Sequence, residues 1–373
     1  MGRSLATGLL VVLMLAPAVA VADQPGAFRG DVSAFGMGNT GVAVPERGCL
    51  WIYNPALLNT IAFDLCIPSV DFGANVKTFE LFDFLDKRWE DFRDFDTLPA
   101  SEQSDLIDDA GEYVRKPLGF RTAPLLGLAA RNFGGALYAN TRTFVIVRPG
   151  RMLPSPQVPE VDGLFQTDVV VQLGTAGLAF HPLSLGISIR YVNRSLKYVA
   201  DIDPENLDDV VDTLTDDLDH YHGWAVDIGA YYPLGIWNVT LGANFRNILG
   251  KIQIPGPDPA DPTEDKGSDE FYRNLVVGAA WRPFPRLLLA ADIQDLLNQT
   301  ELAFGDQIQV GAELDMVVPK FRIGMFRGEV TYGIGVNLFL FKIDFATYQP
   351  IYDFASLTDE EERVYVGQVK FGW

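Results

Sequence analysis

From His222 to Tyr232 the chain alternates with a two-residue period: Trp224, Val226, Ile228, Ala230 and Tyr232 share one face of an extended strand, and Gly223, Ala225, Asp227, Gly229 and Tyr231 the other. The first face begins and ends with an aromatic, as a lipid-facing strand does between two aromatic girdles. After Pro233-Leu234-Gly235, room for a tight turn only, Trp237, Val239, Leu241, Ala243 and Phe245 repeat the arrangement against Asn238, Thr240, Asn244 and Arg246. The pair reads as an antiparallel hairpin. In a β-sandwich the inward face would be apolar and the outward face polar. Here the second face is small and charged, with Asp227, Arg246, Arg282, Asp292, Glu313 and Lys342, which suits the polar lumen of a barrel.

The same period continues through predicted strands at 61–77, 119–131, 134–147, 166–180, 184–198, 275–281, 287–293, 307–316, 321–326, 329–338, 339–347 and 363–373. With the hairpin these make about 14, an even number as single-chain bacterial barrels have. Short turns alternate with longer connections, and the two longest, 201–219 and 255–270, are rich in Asp, Glu and Pro. Short periplasmic turns and long outer loops give a barrel this asymmetry. The expected fold class is therefore all-β, an antiparallel transmembrane β-barrel occupying residues 61–373. Tyr365, Phe371 and Trp373 on the last alternating strand resemble the C-terminal signal that outer-membrane assembly machinery reads.

Residues 1–22 carry Arg3, an apolar run from Leu5 to Ala16, Pro17 and small-residue cleavage sites, the pattern of a secretory signal peptide. The run is shorter than the roughly 20 residues a spanning helix needs, which argues against an anchor. With 49 acidic against 29 basic residues, a net charge of −20 argues against a nucleic-acid partner and against charge-driven binding to anionic lipid. Cys49 and Cys66 lie close together in an exported chain, and two readings stand: a disulfide tying the N-terminal segment to the first strand, or two unlinked thiols. Neither falls in a metal-ligand spacing with His181, His220 or His222, so no metal and no cofactor are expected.

Asp31 to Leu58 resembles nothing else in the chain. Gly36, Gly38 and Gly41 permit backbone turns closed to residues with a Cβ, and Asn54-Pro55 favours a turn before the first strand. The run GMGNTGVAV followed by YNPALL resembles the N-terminal hatch of the FadL-type long-chain fatty-acid transporters and of their PorV and TraF-like outer-membrane relatives. The resemblance implies a luminal plug at 23–60, with Gly36, Gly38, Gly41, Asn54, Pro55 and Ala56 binding ligand or gating. It also implies transport: a hydrophobic molecule binds, the hatch shifts, and the ligand leaves through the wall. NPALL, with Leu57 and Leu58, looks closer to the TraF-like version, which keeps a second reading open, an outer-membrane scaffold of a secretion or conjugal-transfer apparatus.

Residues 79–116 form a helical insertion, in which Phe79, Phe82, Leu85 and Trp89 share one helix face. That face packs on the hatch or wall, or serves as a lid or interfacial helix. The lumen charges either hold the wall together by ion pairing or form a selectivity ring; Arg246 and Arg282 are the expected contacts to the hatch or to a carboxylate. The acidic loops lack the pattern of an EF-hand, and no nucleophile elbow, zinc-protease motif or phosphate loop is present, so no catalytic residues are assigned and no enzyme is expected. The expected location is the outer membrane, and the expected partners are outer-membrane lipid, a hydrophobic small molecule, the assembly machinery and, on the second reading, a secretion or transfer protein.

Overall fold

The structure, a computed structural model, describes residues 31–45, 48–113, 117–148, 160–202, 218–253, 268–299, 302–338, 341–348 and 363–371. The expected signal peptide, Trp373 and most of both acidic loops lie outside the described residues. No helix among those described is long and apolar enough to cross a membrane.

Sixteen strand segments build fourteen antiparallel strands, because two strands are interrupted. In chain order these are β1 (Phe63–Asn75), β2 (Pro117–Thr122 and Leu125–Ala130), β3 (Phe133–Arg148), β4 (Glu160–Phe180), β5 (Leu183–Ile202), β6 (Asp219–Pro233) and β7 (Val239–Gln253). They continue with β8 (Ser268–Glu270 and Asn274–Phe284), β9 (Leu287–Ile293), β10 (Ile308–Asp315), β11 (Pro319–Phe326), β12 (Glu329–Asn337), β13 (Phe341–Tyr348) and β14 (Val364–Phe371). Each strand pairs with the next, and β14 pairs with β1 through couples such as Val369 with Val70, which closes the ring. Among the described residues every strand has a partner on both sides, the condition for a sheet to survive in hydrocarbon.

The wall has the two faces that the alternation requires. On β5 and β6, Ile187, Ile189, Tyr191, Trp224 and Ile228 are exposed while Ser188, Arg190, Ala225 and Asp227 are buried. Phe133, Phe180, Trp237 and Phe284 form an exposed aromatic rim at the short-turn end. Cross-strand neighbours Tyr191 and Trp224 belong to a second rim nearer the long loops. An apolar exterior between aromatic girdles is that of a transmembrane barrel.

Several boundaries differ from the sequence pattern. Trp237 lies in the β6–β7 turn with φ 55°, not in the strand, because the turn takes five residues. Ser268–Glu270, expected in a loop, adds to β7 opposite Lys251–Gln253. The insertion begins at Val76 and its described part holds α2 (Val76–Arg93) and α3 (Ala100–Ala110), each followed by a short 3₁₀ turn, α1 being the short Val32–Phe35 helix. Thr78 anchors its root, accepting from the Gly119 N–H at 2.8 Å. Phe79 stays half exposed and meets only the Phe120 ring edge-on, at 6.1 Å, among its described ring contacts; Phe82, Leu85 and Trp89 lie outside the described side chains. Among the described side chains of the insertion, Phe95, Leu106 and Ala110 are buried and pack with Phe84, Leu98 and Ile107. An Arg88–Asp109 pair at 3.2 Å links α2 to α3.

Candidate functional site: the segment inside the barrel

Between residues 31 and 61 the described side chains are buried almost throughout, and the segment touches inward-facing residues around the ring. The segment opens with α1, capped by Asp31, whose carboxylate accepts from the Ser33 N–H at 2.9 Å and pairs with Lys370 of β14 at 2.5 Å. It turns at Gly38, where φ is +66°, a conformation costly for any residue with a Cβ. It ends in two 3₁₀ turns, Gly48–Ile52 and Pro55–Thr60, the second with Asn54 as N-cap and Pro55 at its first position.

The wall receives this segment on a belt of glycines. Four cross-strand pairs face inward: Gly134 with Gly174, Gly186 with Gly229, Gly242 with Gly278, and Gly311 with Gly324. A Cβ at Gly186 would overlap the Pro55-Ala56 peptide, one at Gly242 the Val42 carbonyl, and one at Gly311 the Met37 carbonyl. Gly36 of the segment lies directly against Gly333 of β12. Backbone therefore meets backbone around most of the ring. Between Gly134 and Gly174 the notch is filled instead by Trp51 and Leu58, both essentially fully buried.

Polar groups fix the register of segment on wall. Asp292 of β9 accepts from two successive N–H groups, Gly41 at 2.7 Å and Val42 at 3.1 Å. Thr331 of β12 accepts from Gly38 N–H at 3.0 Å. Asn54 satisfies three groups at once: its Nδ2 donates to the carbonyls of Val42 at 2.8 Å and Ala230 at 2.9 Å, and its Oδ1 accepts from Ala56 N–H at 3.0 Å. Ser184 Oγ donates to the Ala56 carbonyl at 3.0 Å, and Asn244 Nδ2 to the Tyr53 carbonyl at 2.6 Å. Tyr53 stands at the centre, its hydroxyl donating to Asn39 Oδ1 at 2.7 Å and accepting from Asp31 N–H at 3.0 Å. Burial, reinforced by the Asp31 charge, pushes its phenol well above the ordinary range, so it remains a donor.

Gly36, Gly38, Gly41, Asn54, Pro55 and Ala56 thus all lie in this one interface. Arg246 also reaches it, its guanidinium 5.7 Å from the centre of the Tyr53 ring. Arg282 does not: it sits partly buried at the short-turn rim, where its charge acts on the Asp315 carboxylate of β10 instead. Asp227 and Glu313 belong to the wall. Asp227 pairs with Arg190 at 2.9 Å, and Arg322 bridges Glu313 at 2.7 Å and Asp344 at 2.6 Å, all deeply buried. Tyr365 is exposed on the outer face. The side chains of Phe371, Cys49 and Cys66 lie outside the described residues. The residues that the sequence pattern left unassigned are the wall partners Ser184, Asn244, Thr331 and Lys370, and the glycine belt itself. Its signal was there, glycine at inward positions of strand after strand, but the pairing needs the register.

No protein-family model matches the chain, and no curated protein matches it in sequence. Solved structures do match. The Pseudomonas putida toluene transporter TodX is 14% identical at a TM-score of 0.52, over 95% of this chain and 99% of that one. The Ralstonia pickettii toluene transporter TbuX is 15% identical at a TM-score of 0.51, over 92% of this chain and 98% of that one. A TodX variant described as a monoaromatic hydrocarbon channel gives a TM-score of 0.54 at 14% identity, over 94% of this chain and 99% of that one. The chain shares its barrel fold with these transporters.

Proposed function

We propose that this protein carries hydrophobic small molecules across the outer membrane, through a barrel that residues 31–61 close at rest. The observation that carries this reading is the seating of that segment on the glycine belt, where its backbone lies against the wall and its own side chains, Trp51, Tyr53 and Leu58 among them, are buried inside the ring. Such a plug excludes polar solutes and is held by a limited set of directional bonds, so it can shift as a unit. Fold likeness to TodX and TbuX supports a hydrophobic, aromatic cargo over a scaffold role.

The exit has a candidate in the wall. Strand β2 is broken at Ala123-Pro124, and just beyond the break β1 is irregular between Cys66 and Ser69, opposite Leu125–Gly127. Pro124 has no N–H to give the ladder. The break is bridged by Ala123 N–H to the Asp71 carbonyl at 3.0 Å and Ala139 N–H to the Pro124 carbonyl at 3.1 Å. A hydrophobic ligand leaving here enters lipid directly.

The test is uptake of isotopically labelled toluene by cells lacking their own hydrocarbon transporters, with and without the full chain. Uptake above the barrel-free control is expected; a correctly assembled barrel that adds none would sink the transport reading.

A further inference from the structure

The plug carries an aromatic side chain seated in a receptor that the wall builds without it. Phe35, the last residue of α1, stacks on Tyr348 of β13 with ring centroids 4.4 Å apart and planes 6° from parallel. Arg121 of β2 lies with its guanidinium carbon 4.9 Å from the centre of the Phe35 ring, and donates to the Tyr348 hydroxyl at 2.9 Å. Phe326 of β11 meets Tyr348 edge-on at 6.3 Å. Val32, Ala346, Val364 and Val366 complete an apolar cluster around these rings. Tyr348, Arg121 and Phe326 come from three separate strands and are tied to each other independently of the plug. Phe326 and Tyr348 are the residues with which β11 and β13 end on the long-loop side. Arg121 is two residues before the Ala123-Pro124 break.

We propose that Arg121, Tyr348 and Phe326 form a binding site for a planar aromatic ring, which Phe35 occupies at rest, so that a ligand ring and α1 of the plug compete for it. The inference rests on the transport reading and names its ligand class and its coupling. A flat π-system is what the site selects: Tyr348 offers an offset-stacking face and Arg121 a cation–π contact, neither of which a saturated ring of the same size returns. Occupation by ligand displaces the Phe35 side chain. Because α1 leads directly into the Gly36 and Gly38 contacts, displacement starts release of the segment from β11 and β12. A tethered competitor acts at an effective concentration on the order of millimolar, so its removal raises the apparent affinity for an external ring.

The experiment follows fluorobenzene by fluorine NMR on the full chain in lipid discs, with benzene and cyclohexane as competitors. Benzene is expected to displace the probe and cyclohexane to leave it bound. Phe35→Leu is expected to bind the probe about tenfold more tightly, and Tyr348→Leu to lose it. Equal affinity of Phe35→Leu and wild type, or equal competition by cyclohexane, overturns the site. A second measurement needs no variant: hydrogen exchange of the wild type with and without saturating toluene. Exchange at the amides of Ala34 to Gly38 is expected to speed up; unchanged or slower exchange overturns the competition. Uptake assays on the same proteins separate the two readings, since toluene uptake without a response at α1 leaves transport standing alone, and a response at α1 without uptake leaves only the ring site.

Discussion

Gly186 and Gly229 are direct cross-strand partners on β5 and β6, and the Asn54-Pro55-Ala56 turn lies across both. A side chain at either would occupy the space of the turn: a Cβ at Gly229 would overlap Asn54 Oδ1 and stand 2.9 Å from Pro55 Cδ. Valine suits a strand better than glycine does, so Gly229→Val should leave the wall assembled and displace the plug. The expected result is a folded barrel with raised conductance to small ions in planar bilayers. A folded Gly229→Val barrel as tight as wild type would show that the belt does not seat the plug.

Asn54→Ala removes a helix cap and two donors in one step. Loss of the cap costs about 1 kcal/mol, and leaving a buried carbonyl unpaired costs ~1–3 kcal/mol more. A net effect of about 2 kcal/mol on the closed state raises the open population roughly 30-fold. The wall ladder is untouched, so thermal unfolding of the barrel should shift little while leak of a hydrophilic dye from proteoliposomes rises.

Asp292 holds the second bend of the plug with a charged acceptor. Hydrogen bonds to a charged group contribute ~1.5–3 kcal/mol against ~0.5–1.5 kcal/mol for neutral ones. Asp292→Asn keeps an acceptor oxygen of the same shape and should weaken the grip by about 1 kcal/mol, with Asp292→Ala removing it. Hydrogen exchange at Gly41 and Val42 should accelerate in that order, with exchange at β10 and β11 unaltered.

These partners explain what the sequence could and could not disclose. The wall was legible because period two is local: every strand announces its two faces in its own residues, and the described strands fall where the alternation places them. Asn54-Pro55 and the glycines of the segment were legible through backbone chemistry, which is local as well. What grips them was not. Asp292 and Thr331 meet Gly41 and Gly38 across 251 and 293 residues of chain, and only closure of the ring sets such neighbours side by side. Arg282 shows the converse: its alternation with Trp281 placed it on the lumen face, but two residues before the end of β8 it stands at the rim, within electrostatic reach of Asp315 and away from the segment. Phe79, the one described member of the helical stripe, meets the wall at Phe120, while the packing of Phe84 with Phe95 and Leu106 between the helices was not legible in that spacing.

Arg322 separates wall stability from plug function. Its guanidinium serves Glu313 and Asp344 together, and removing one partner of a buried ion pair costs ~3–5 kcal/mol. Arg322→Met should therefore lower the unfolding temperature of the barrel markedly. Replacing all three, with Glu313→Gln and Asp344→Asn added, removes the stranded charges and should recover most of the loss. Loss of stability in the triple variant equal to that in Arg322→Met would mean that packing of the arginine, not its charge, matters here.

The helical insertion is the last element whose contribution can be isolated. Ala74 and Phe120 are cross-strand partners on β1 and β2, so Asn75 and Gly119 stand opposite each other one step further on and a tight turn can join them, at the loss of Pro117 and Leu118, which pair with Ile146 and Val145 of β3. The helices meanwhile bury Phe95, Leu106 and Ala110 against each other rather than against the segment. Replacing residues 76–118 by Asn-Gly should thus give a barrel that still folds, since β1 keeps its partners on β14 and on the rest of β2. Toluene uptake by this deletion variant should match that of the full chain if the insertion takes no part in passage. Uptake that falls while the barrel still resists unfolding by SDS at room temperature would instead assign α2 and α3 to ligand entry, because no wall or plug bond described for residues 31–61 depends on them.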